Sequence, residues 1–246
     1  MNKNKIYFAS DFHLGIPNIE ESHNRERHIV RWLTKIEKDA KAIYLVGDIF
    51  DFWFEYKKVV PKGFVRLLGK IATLTDKGTQ IHLFVGNHDL WAKDYLEKEA
   101  GITIHHKSMI LKEQSKEIFI SHGDGLGKGD LYYKLVKKLF NSKICQWAFA
   151  RLHPNLALYL AHKWSNKSRK NYNIPFISEK KEILFDYCKK QQKIRPIDYY
   201  VFGHTHNPIQ LQVDNQSQYI NLGDWLTHNT YAVLKDGILK IEKYPK

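Results

Sequence analysis

Five short segments of this sequence carry carboxylate, imidazole or amide side chains, the groups that bind divalent cations. They are Asp11-Phe12-His13, Gly47-Asp48, Gly86-Asn87-His88-Asp89, His122-Gly123-Asp124 and Gly203-His204-Thr205-His206. One such segment is a weak signal, but five in order, each directly after a β-branched and aromatic run, predict one shared site. Mixed Asp, Asn and His ligands suit Mn²⁺, Fe²⁺ or Zn²⁺ better than Ca²⁺. Such ligands can hold two cations about 3.5–4 Å apart, with one carboxylate bridging them.

The runs that precede these segments have the length and composition of buried strands. Strands are predicted over residues 6–10, 42–46, 81–85, 118–121, 199–202 and 219–222. Helices are predicted between the first of them, over residues 20–38 and 65–74, where apolar residues recur at helical spacing. Alternating strands and helices indicate a layered α/β fold. In open α/β sheets, sites form outside the carboxyl ends of the strands, where these five segments lie.

A basic and apolar segment separates two of the predicted strands. Residues 128–195 hold 16 Lys and Arg against four acidic residues, in a chain whose formal net charge is +13. Helices are predicted over residues 130–140 and 144–164. A cationic and apolar segment suits an amphiphile with an anionic head group, or an anionic membrane face. We therefore expect a helical cap inserted at about 128–195 into a single domain that spans residues 1–246. The N-terminal apolar run is too short for a signal peptide, so a cytoplasmic protein is expected.

The five ligand-bearing segments, and the order in which they occur from Asp11 to His206, resemble those of the calcineurin-like metallophosphoesterases. The resemblance implies an α/β fold that is a four-layer αββα sandwich with a helical cap. It assigns one divalent cation to Asp11, His13, Asp48 and His206. It assigns a second to Asp48, Asn87, His122 and His204, with Asp48 bridging. The two ions are typically Mn²⁺, and Fe²⁺ or Zn²⁺ remain open.

The same resemblance implies the catalytic residues. His88 matches a histidine beside the substrate phosphate, which stabilises charge or protonates the leaving oxygen, and Asp89 is expected to orient His88. The sequence has no P-loop or nucleophile-elbow signature, so attack by water is expected. Asp51 is a candidate supporting residue.

Within the family, the sequence is most similar to the branch that hydrolyses the pyrophosphate of UDP-2,3-diacylglucosamine in lipid A synthesis. Asp130 and Tyr133 follow His122 at the spacing of that branch, and Leu222-Gly223-Asp224-Trp225 matches its C-terminal motif. A polar group on the cap resembles its head-group site: Ser165, Asn166, Lys167 and Arg169. In the best-known form of that branch, Arg stands where this chain has His88.

The similarity to this branch implies a lipid-linked nucleotide substrate and a peripheral position on the cytoplasmic face of the inner membrane. A phosphodiesterase or nuclease that acts on nucleotides or nucleic acid remains the alternative, because basic charge also suits nucleic acid. The oligomeric state is left open.

Overall fold

Two β-sheets pack face to face at the centre of the computed structural model, which describes residues 3–126, 131–172 and 183–246. The first sheet contains β1 (Lys5–Ala9), β2 (Ala40–Leu45), β3 (Gln80–Phe84), β4 (Thr103–His105), β10 (Thr230–Lys235) and β11 (Ile238–Lys243). Its order is β11-β10-β1-β2-β3-β4, with β1 to β4 parallel. The carboxyl ends of β1, β2 and β3 therefore lie side by side.

The second sheet supplies the other half of the central sandwich. It contains β5 (Met109–Glu113), β6 (Lys116–Ile120), β7 (Tyr199–Phe202), β8 (Ile209–Gln212) and β9 (Gln218–Asn221). Its order is β5-β6-β7-β9-β8, and the three central strands are parallel. Because side chains alternate along a strand, one set from each sheet faces inward. Phe8, Tyr44 and Phe84 of the first sheet belong to the same buried cluster as Ile120 and Val201 of the second.

Three helices cover the outer face of the first sheet: α1 (Ile19–Ile36), α2 (Val65–Asp76) and α3 (Tyr95–Ala100). Helix α1 forms where predicted, because Ile29, Trp32, Leu33 and Ile36 recur on one face and are buried. Asn18 begins the helix by accepting a hydrogen bond from the Glu21 N–H at 2.9 Å. Trp32 is fully buried, and burial of a large apolar side chain contributes about 2–3 kcal/mol.

Four further helices lie between β6 and β7 in the sequence: α4 (Leu131–Phe140), α5 (Lys143–Phe149), α6 (Pro154–Tyr172) and α7 (Ile183–Ile194). Leu184 and Cys188 of α7 are buried against Tyr200 and Tyr219 of the second sheet. Helix α7 therefore forms the fourth layer, and the predicted αββα sandwich is confirmed. The predicted boundaries of the single domain and of the cap stay predictions.

The helix predicted over residues 144–164 is wrong as a continuous element, because the chain leaves the helix after Phe149 and re-enters it at Pro154. Proline lacks an N–H and fits the first turn of a helix, where no partner is needed, so it starts α6 rather than continuing α5. Several short elements, α3, β4, β5 and β8, were not predicted, because three to six residues carry little periodic signal.

Helices α4 to α6 carry many of the exposed large apolar side chains. They are Leu135, Leu139, Ile144, Trp147, Leu156, Tyr159, Leu160 and Trp164. Over the three described ranges, we find no helix with the length and apolarity needed to cross a membrane.

Candidate metal centre

The loops that follow parallel strands bring the predicted cation ligands together. Asp11 and His13 follow β1, Asp48 follows β2, and Asn87 follows β3 in the first sheet. The remaining three come from the second sheet, where His122 follows β6 and both His204 and His206 follow β7. The two sheets thus supply opposite sides of one site at the carboxyl ends of their strands.

One cluster contains Asp11, His13 and His206. The Nε2 atom of His206 lies 3.2 Å from Asp11 Oδ1 and 3.2 Å from His13 Nε2. His13 Nε2 is also 3.8 Å from Asp48 Oδ2. These atoms surround one point, as the ligands of a single cation do.

A second cluster contains Asp48, His122 and His204. His122 Nε2 lies 3.3 Å from Asp48 Oδ2 and 3.3 Å from Asn87 Oδ1. Asp48 Oδ2 therefore faces His13 of the first cluster and His122 of the second. A carboxylate in this position can bridge two cations.

The donor atoms of both clusters fit divalent cations. Asp11 Oδ1 is buried and lies beside the ring nitrogens of His206 and His13, but no hydrogen bond of regular geometry reaches it among the described residues. A buried carboxylate oxygen without a well-formed hydrogen bond is costly, and a cation would satisfy it. Oxygen and imidazole donors together suit first-row divalent metals.

The pKa values of the ligands are shifted because carboxylates and imidazoles lie close together in the two clusters. Burial opposes ionisation of Asp48, but the neighbouring imidazoles, above all His122, outweigh it and hold the Asp48 pKa below its usual range. Burial also opposes the charged form of His206, but Asp11 and then Asp224 raise its pKa to about 10. The pKa values of His13 and His122 are raised as well, by neighbouring carboxylates, whereas burial lowers the His204 pKa to about 4. Binding of cations would displace the protons held by the raised histidines.

The backbone at the ligands adopts a conformation that side chains rarely take. The left-handed φ values, between 43° and 69°, occur at Asp11, His13, Asp48, His204 and His206. Each such residue costs about 1–3 kcal/mol, and strain of this kind concentrates at functional sites. The strained turns aim successive side chains of one loop at the same point.

Two glycines allow the loops to approach each other. A Cβ atom on Gly86 would lie 2.2 Å from Asp48 Oδ1, and one on Gly203 would lie 2.4 Å from Asp11 Oδ2. Both distances are far below contact, so only glycine leaves room for the carboxylates in their present positions.

His88 lies beside the clusters and is held through one ring nitrogen. Its Nδ1 donates to the Asp51 carbonyl oxygen at 2.8 Å, and its Nε2 is 4.0 Å from Asp48 Oδ2. Since a carbonyl only accepts hydrogen bonds, Nδ1 carries a proton and Nε2 faces the site. Burial lowers the His88 pKa.

Asp89 makes no hydrogen bond or ion pair with the His88 ring, so the prediction that it orients this histidine finds no direct contact in its support. Its carboxylate accepts hydrogen bonds from the N–H groups of Gly86 at 2.6 Å and Ile49 at 2.8 Å. Burial, followed by the nearby charge of Asp48, raises the Asp89 pKa to about 7. Asp89 joins the loops after β2 and β3, and the Asp51 carbonyl supplies the contact expected of Asp89.

Asp224 and His162 near the centre were missing from the predicted site residues, and Asp51 was expected only in a supporting role. Asp51 is fully buried and contacts His162 of α6 at 3.3 Å, and Asp224 lies 3.4 Å from His206 Nδ1. Asp51 stands three residues after Asp48, and Asp224 belongs to a matched motif, so both had a sequence signal. His162 had no signal, because only the packing of α6 brings it near the site.

The structure describes the side chain of only one of the predicted head-group residues. Ser165 is buried on α6, with Oγ 3.2 Å from Asp51 Oδ1 and 3.3 Å from His88 Nδ1. Asp130 lies outside the described residues, as do the side chains of Tyr133, Asn166, Lys167 and Arg169. Contact of these residues with a substrate stays a prediction.

A two-sheet sandwich with paired acid and histidine clusters is the arrangement of a metal-dependent phosphoesterase, and the chain belongs to the calcineurin-like phosphoesterase family, whose sequence pattern matches residues 4–208. Among curated relatives, it is 36% identical over 255 residues to UDP-2,3-diacylglucosamine hydrolase of Porphyromonas gingivalis, covering 98% of this chain and 97% of that protein. It is 29% identical over 223 residues to the enzyme of that name from Pseudomonas putida, covering 89% and 90% of the two chains. Among solved structures, it is similar to Yfce, a phosphoesterase from E. coli, with 14% identity, a TM-score of 0.47, and coverage of 97% and 92%.

Proposed function

We propose that this protein hydrolyses the pyrophosphate bond of UDP-2,3-diacylglucosamine to UMP and 2,3-diacylglucosamine 1-phosphate. The observation that carries the proposal is the pair of ligand clusters that meet at Asp48 Oδ2, 3.3 Å from His122 Nε2 and 3.8 Å from His13 Nε2. Similarity over nearly the full length to a UDP-2,3-diacylglucosamine hydrolase supports the choice of substrate.

The ligand clusters would hold two divalent cations, for which we propose Mn²⁺. When bound, the ions supply positive charge that neutralises the pyrophosphate and lowers the pKa of an attacking water. Asp48 would be a ligand at both cation positions. The other ligands would be Asp11, His13 and His206 at one position and Asn87, His122 and His204 at the other. The buried carboxylates keep their charge at neutral pH because the imidazoles hold their pKa values low.

His88 would act on the substrate itself. The Nδ1 proton is committed to the Asp51 carbonyl, so Nε2 is the atom that faces the phosphate. With a second proton on Nε2, the imidazolium form would hydrogen-bond to the phosphate or give that proton to the leaving oxygen. Ser165 and Asp51 pack behind the ring and limit its rotation. General acid catalysis of this kind contributes about 10²–10⁴-fold.

The exposed surface of α4 to α6 suits an anionic bilayer as the source of the lipid substrate. Ile144 is 78% exposed and Trp147 is 60% exposed, and Arg151 lies over the Trp147 ring at 4.9 Å. No acidic residue occurs in residues 131–178. Exposed apolar side chains among cations bind the boundary between head groups and acyl chains. We therefore propose peripheral binding to the cytoplasmic face of the inner membrane.

The hydrolase proposal is tested by UMP release from UDP-2,3-diacylglucosamine in detergent with Mn²⁺. We expect UMP from the wild type, none after chelation with EDTA, and none from Asp48→Ala. Asp76→Ala, an exposed carboxylate at the end of α2, is the matched control and should keep full activity. Turnover of a generic phosphodiester without any UMP would contradict the lipid substrate and favour the nucleotide or nucleic acid alternative.

Membrane binding is tested by flotation with vesicles of phosphatidylcholine alone or mixed with phosphatidylglycerol. We expect binding to the anionic vesicles, and loss of it in the double variant Ile144→Ser with Trp147→Ser. Ile19→Ser with Val65→Ser, also exposed but on α1 and α2, is the control and should bind as the wild type does. Equal loss in both double variants would contradict docking through the cap helices.

A further inference from the structure

The two ring nitrogens of His206 face two different carboxylates. Nε2 lies 3.2 Å from Asp11 Oδ1 and 3.2 Å from His13 Nε2, within the first ligand cluster. Nδ1 lies 3.4 Å from Oδ2 of Asp224, a residue that is only 4% exposed. The ring therefore stands between the cluster and a buried negative charge.

The Asp224 carboxylate is fixed by the turn that it begins. Its Oδ1 accepts hydrogen bonds from the N–H groups of Thr227 at 2.9 Å and His228 at 3.0 Å. The next residue, Trp225, donates its N–H to the Asp11 carbonyl oxygen at 3.1 Å. The loop that carries Asp224 is thereby tied to the loop that carries Asp11, and Oδ2 stays directed at His206.

We propose that Asp224 is a positioning residue for the cation at Asp11, His13 and His206. Its Oδ2, 3.4 Å from Nδ1, would accept the Nδ1 proton of His206 and so leave the Nε2 lone pair directed into the cluster. A carboxylate behind an imidazole ligand fixes its tautomer and makes it a stronger donor, and loss of such a group weakens metal binding by about 10–100-fold. This inference rests on the proposed function, because it requires the two cation positions.

The second cluster is supported differently. His122 Nδ1 lies 2.8 Å from the Val46 carbonyl oxygen, a neutral backbone acceptor that no side-chain substitution removes. Val46 directly follows β2, so this contact belongs to the sheet rather than to the loop at 222–229. Loss of Asp224 should therefore weaken one cation position and leave the other unchanged.

The experiment is a Mn²⁺ titration of metal-free protein by electron paramagnetic resonance and calorimetry. Asp224→Asn removes the charge but keeps an oxygen for the Thr227 and His228 N–H groups. Asp214→Asn is the matched control, because Asp214 Oδ1 also accepts two backbone N–H groups, from Gln216 and Ser217, in a turn away from the clusters. Thermal unfolding of each metal-free protein reports structural damage separately.

We expect Asp224→Asn to bind one Mn²⁺ about 10–100-fold more weakly, with the second ion and the metal-free melting temperature unchanged. Asp214→Asn should bind both ions as the wild type does. Equal binding constants in Asp224→Asn and wild type would overturn the proposal. So would equal weakening of both ions together with a lower metal-free melting temperature, which indicates a structural role. A wild-type protein that binds no Mn²⁺ would instead overturn the proposed function, before any variant is compared.

Discussion

Ser165 on helix α6 donates its hydroxyl to the buried carboxylate of Asp51, with Oγ 3.2 Å from Oδ1. The backbone carbonyl of the same Asp51 accepts the Nδ1 proton of His88. A helix of the inserted segment is thus connected through one residue to the histidine beside the ligand clusters. The strand pattern of the sequence does not predict the contact between Ser165 and Asp51, because the two residues are 114 positions apart.

Ser165→Ala should destabilise the protein, because it removes a hydrogen bond from a carboxylate that has no access to water. We expect the free energy of unfolding to fall by about 1–3 kcal/mol. Ser217→Ala is the matched control, since Ser217 Oγ is also buried but has no hydrogen-bond partner among the described residues. Urea denaturation of both variants measures the difference, and equal effects would contradict the role of the Ser165 hydroxyl.

His88→Gln should slow hydrolysis without removing the cations. The amide keeps a donor for the Asp51 carbonyl but cannot supply a proton, so we expect kcat to fall by about 10²–10⁴-fold. UMP release measures the rate, and a Mn²⁺ titration of the same sample measures binding. The exposed His106→Gln should match the wild type in both. If His88→Gln loses Mn²⁺ binding as well, His88 is a cation ligand, and its proposed role as a general acid is contradicted.

Gly86→Ala should disrupt the centre, because its Cβ would lie 2.2 Å from Asp48 Oδ1 and 2.7 Å from the Asp48 backbone nitrogen. Forcing a methyl group into such a space costs about 1–3 kcal/mol and displaces the carboxylate, so Mn²⁺ binding should weaken. Gly69→Ala on the exposed face of α2 meets no atom within 4 Å and should stabilise the helix by up to about 1 kcal/mol. Unchanged Mn²⁺ binding in Gly86→Ala would show that the loops can separate without cost.

The environment of His82 predicts that the free energy of unfolding falls in mild acid. Its ring stacks on Tyr44 at 4.5 Å and lies 3.0 Å from His105 Nε2, and burial together with His105 lowers its pKa to about 4. Because the unfolded chain binds the proton more readily, stability is complete above the ordinary pKa of about 6.5 and falls as the pH drops toward 4.

The pH prediction is measured as the free energy of unfolding at several pH values, with EDTA present so that cation release does not contribute. His82→Gln should lose less stability between about pH 6.5 and 4 than the wild type, since it has no proton to gain. The exposed His106→Gln should follow the wild-type curve. Identical curves for His82→Gln and wild type would contradict the assignment.

The gathering of the predicted ligands could be foreseen because each follows directly after a strand. Asp11, Asp48 and Asn87 follow neighbouring parallel strands, and such strands end at the same edge of a sheet. Local sequence therefore carries this part of the geometry. The assignment of the individual ligands to cations stays a prediction.

Contacts between distant loops could not be foreseen in the same way. Asp89 and Asp51 both lie near His88 in sequence or in space, and only packing decides which of them contacts the ring. Asp224 is 18 residues from His206, and its role depends on the turn that fixes its carboxylate. Sequence patterns show that such residues are polar and lie near the ligand segments in the sequence, but they do not show which group each side chain contacts.

The origin of the ligands in two different sheets has a mechanical consequence. Asp48 belongs to the first sheet and His122 to the second, yet their donor atoms lie 3.3 Å apart. A cation held between them would act as a cross-link across the sandwich, much as a disulfide joins two distant parts of a chain. Chelation would then loosen the sandwich next to the centre, although the apolar cluster between the sheets remains. The amide hydrogens of β1, β2, β6 and β7 would therefore exchange with solvent faster than in the metal-bound protein.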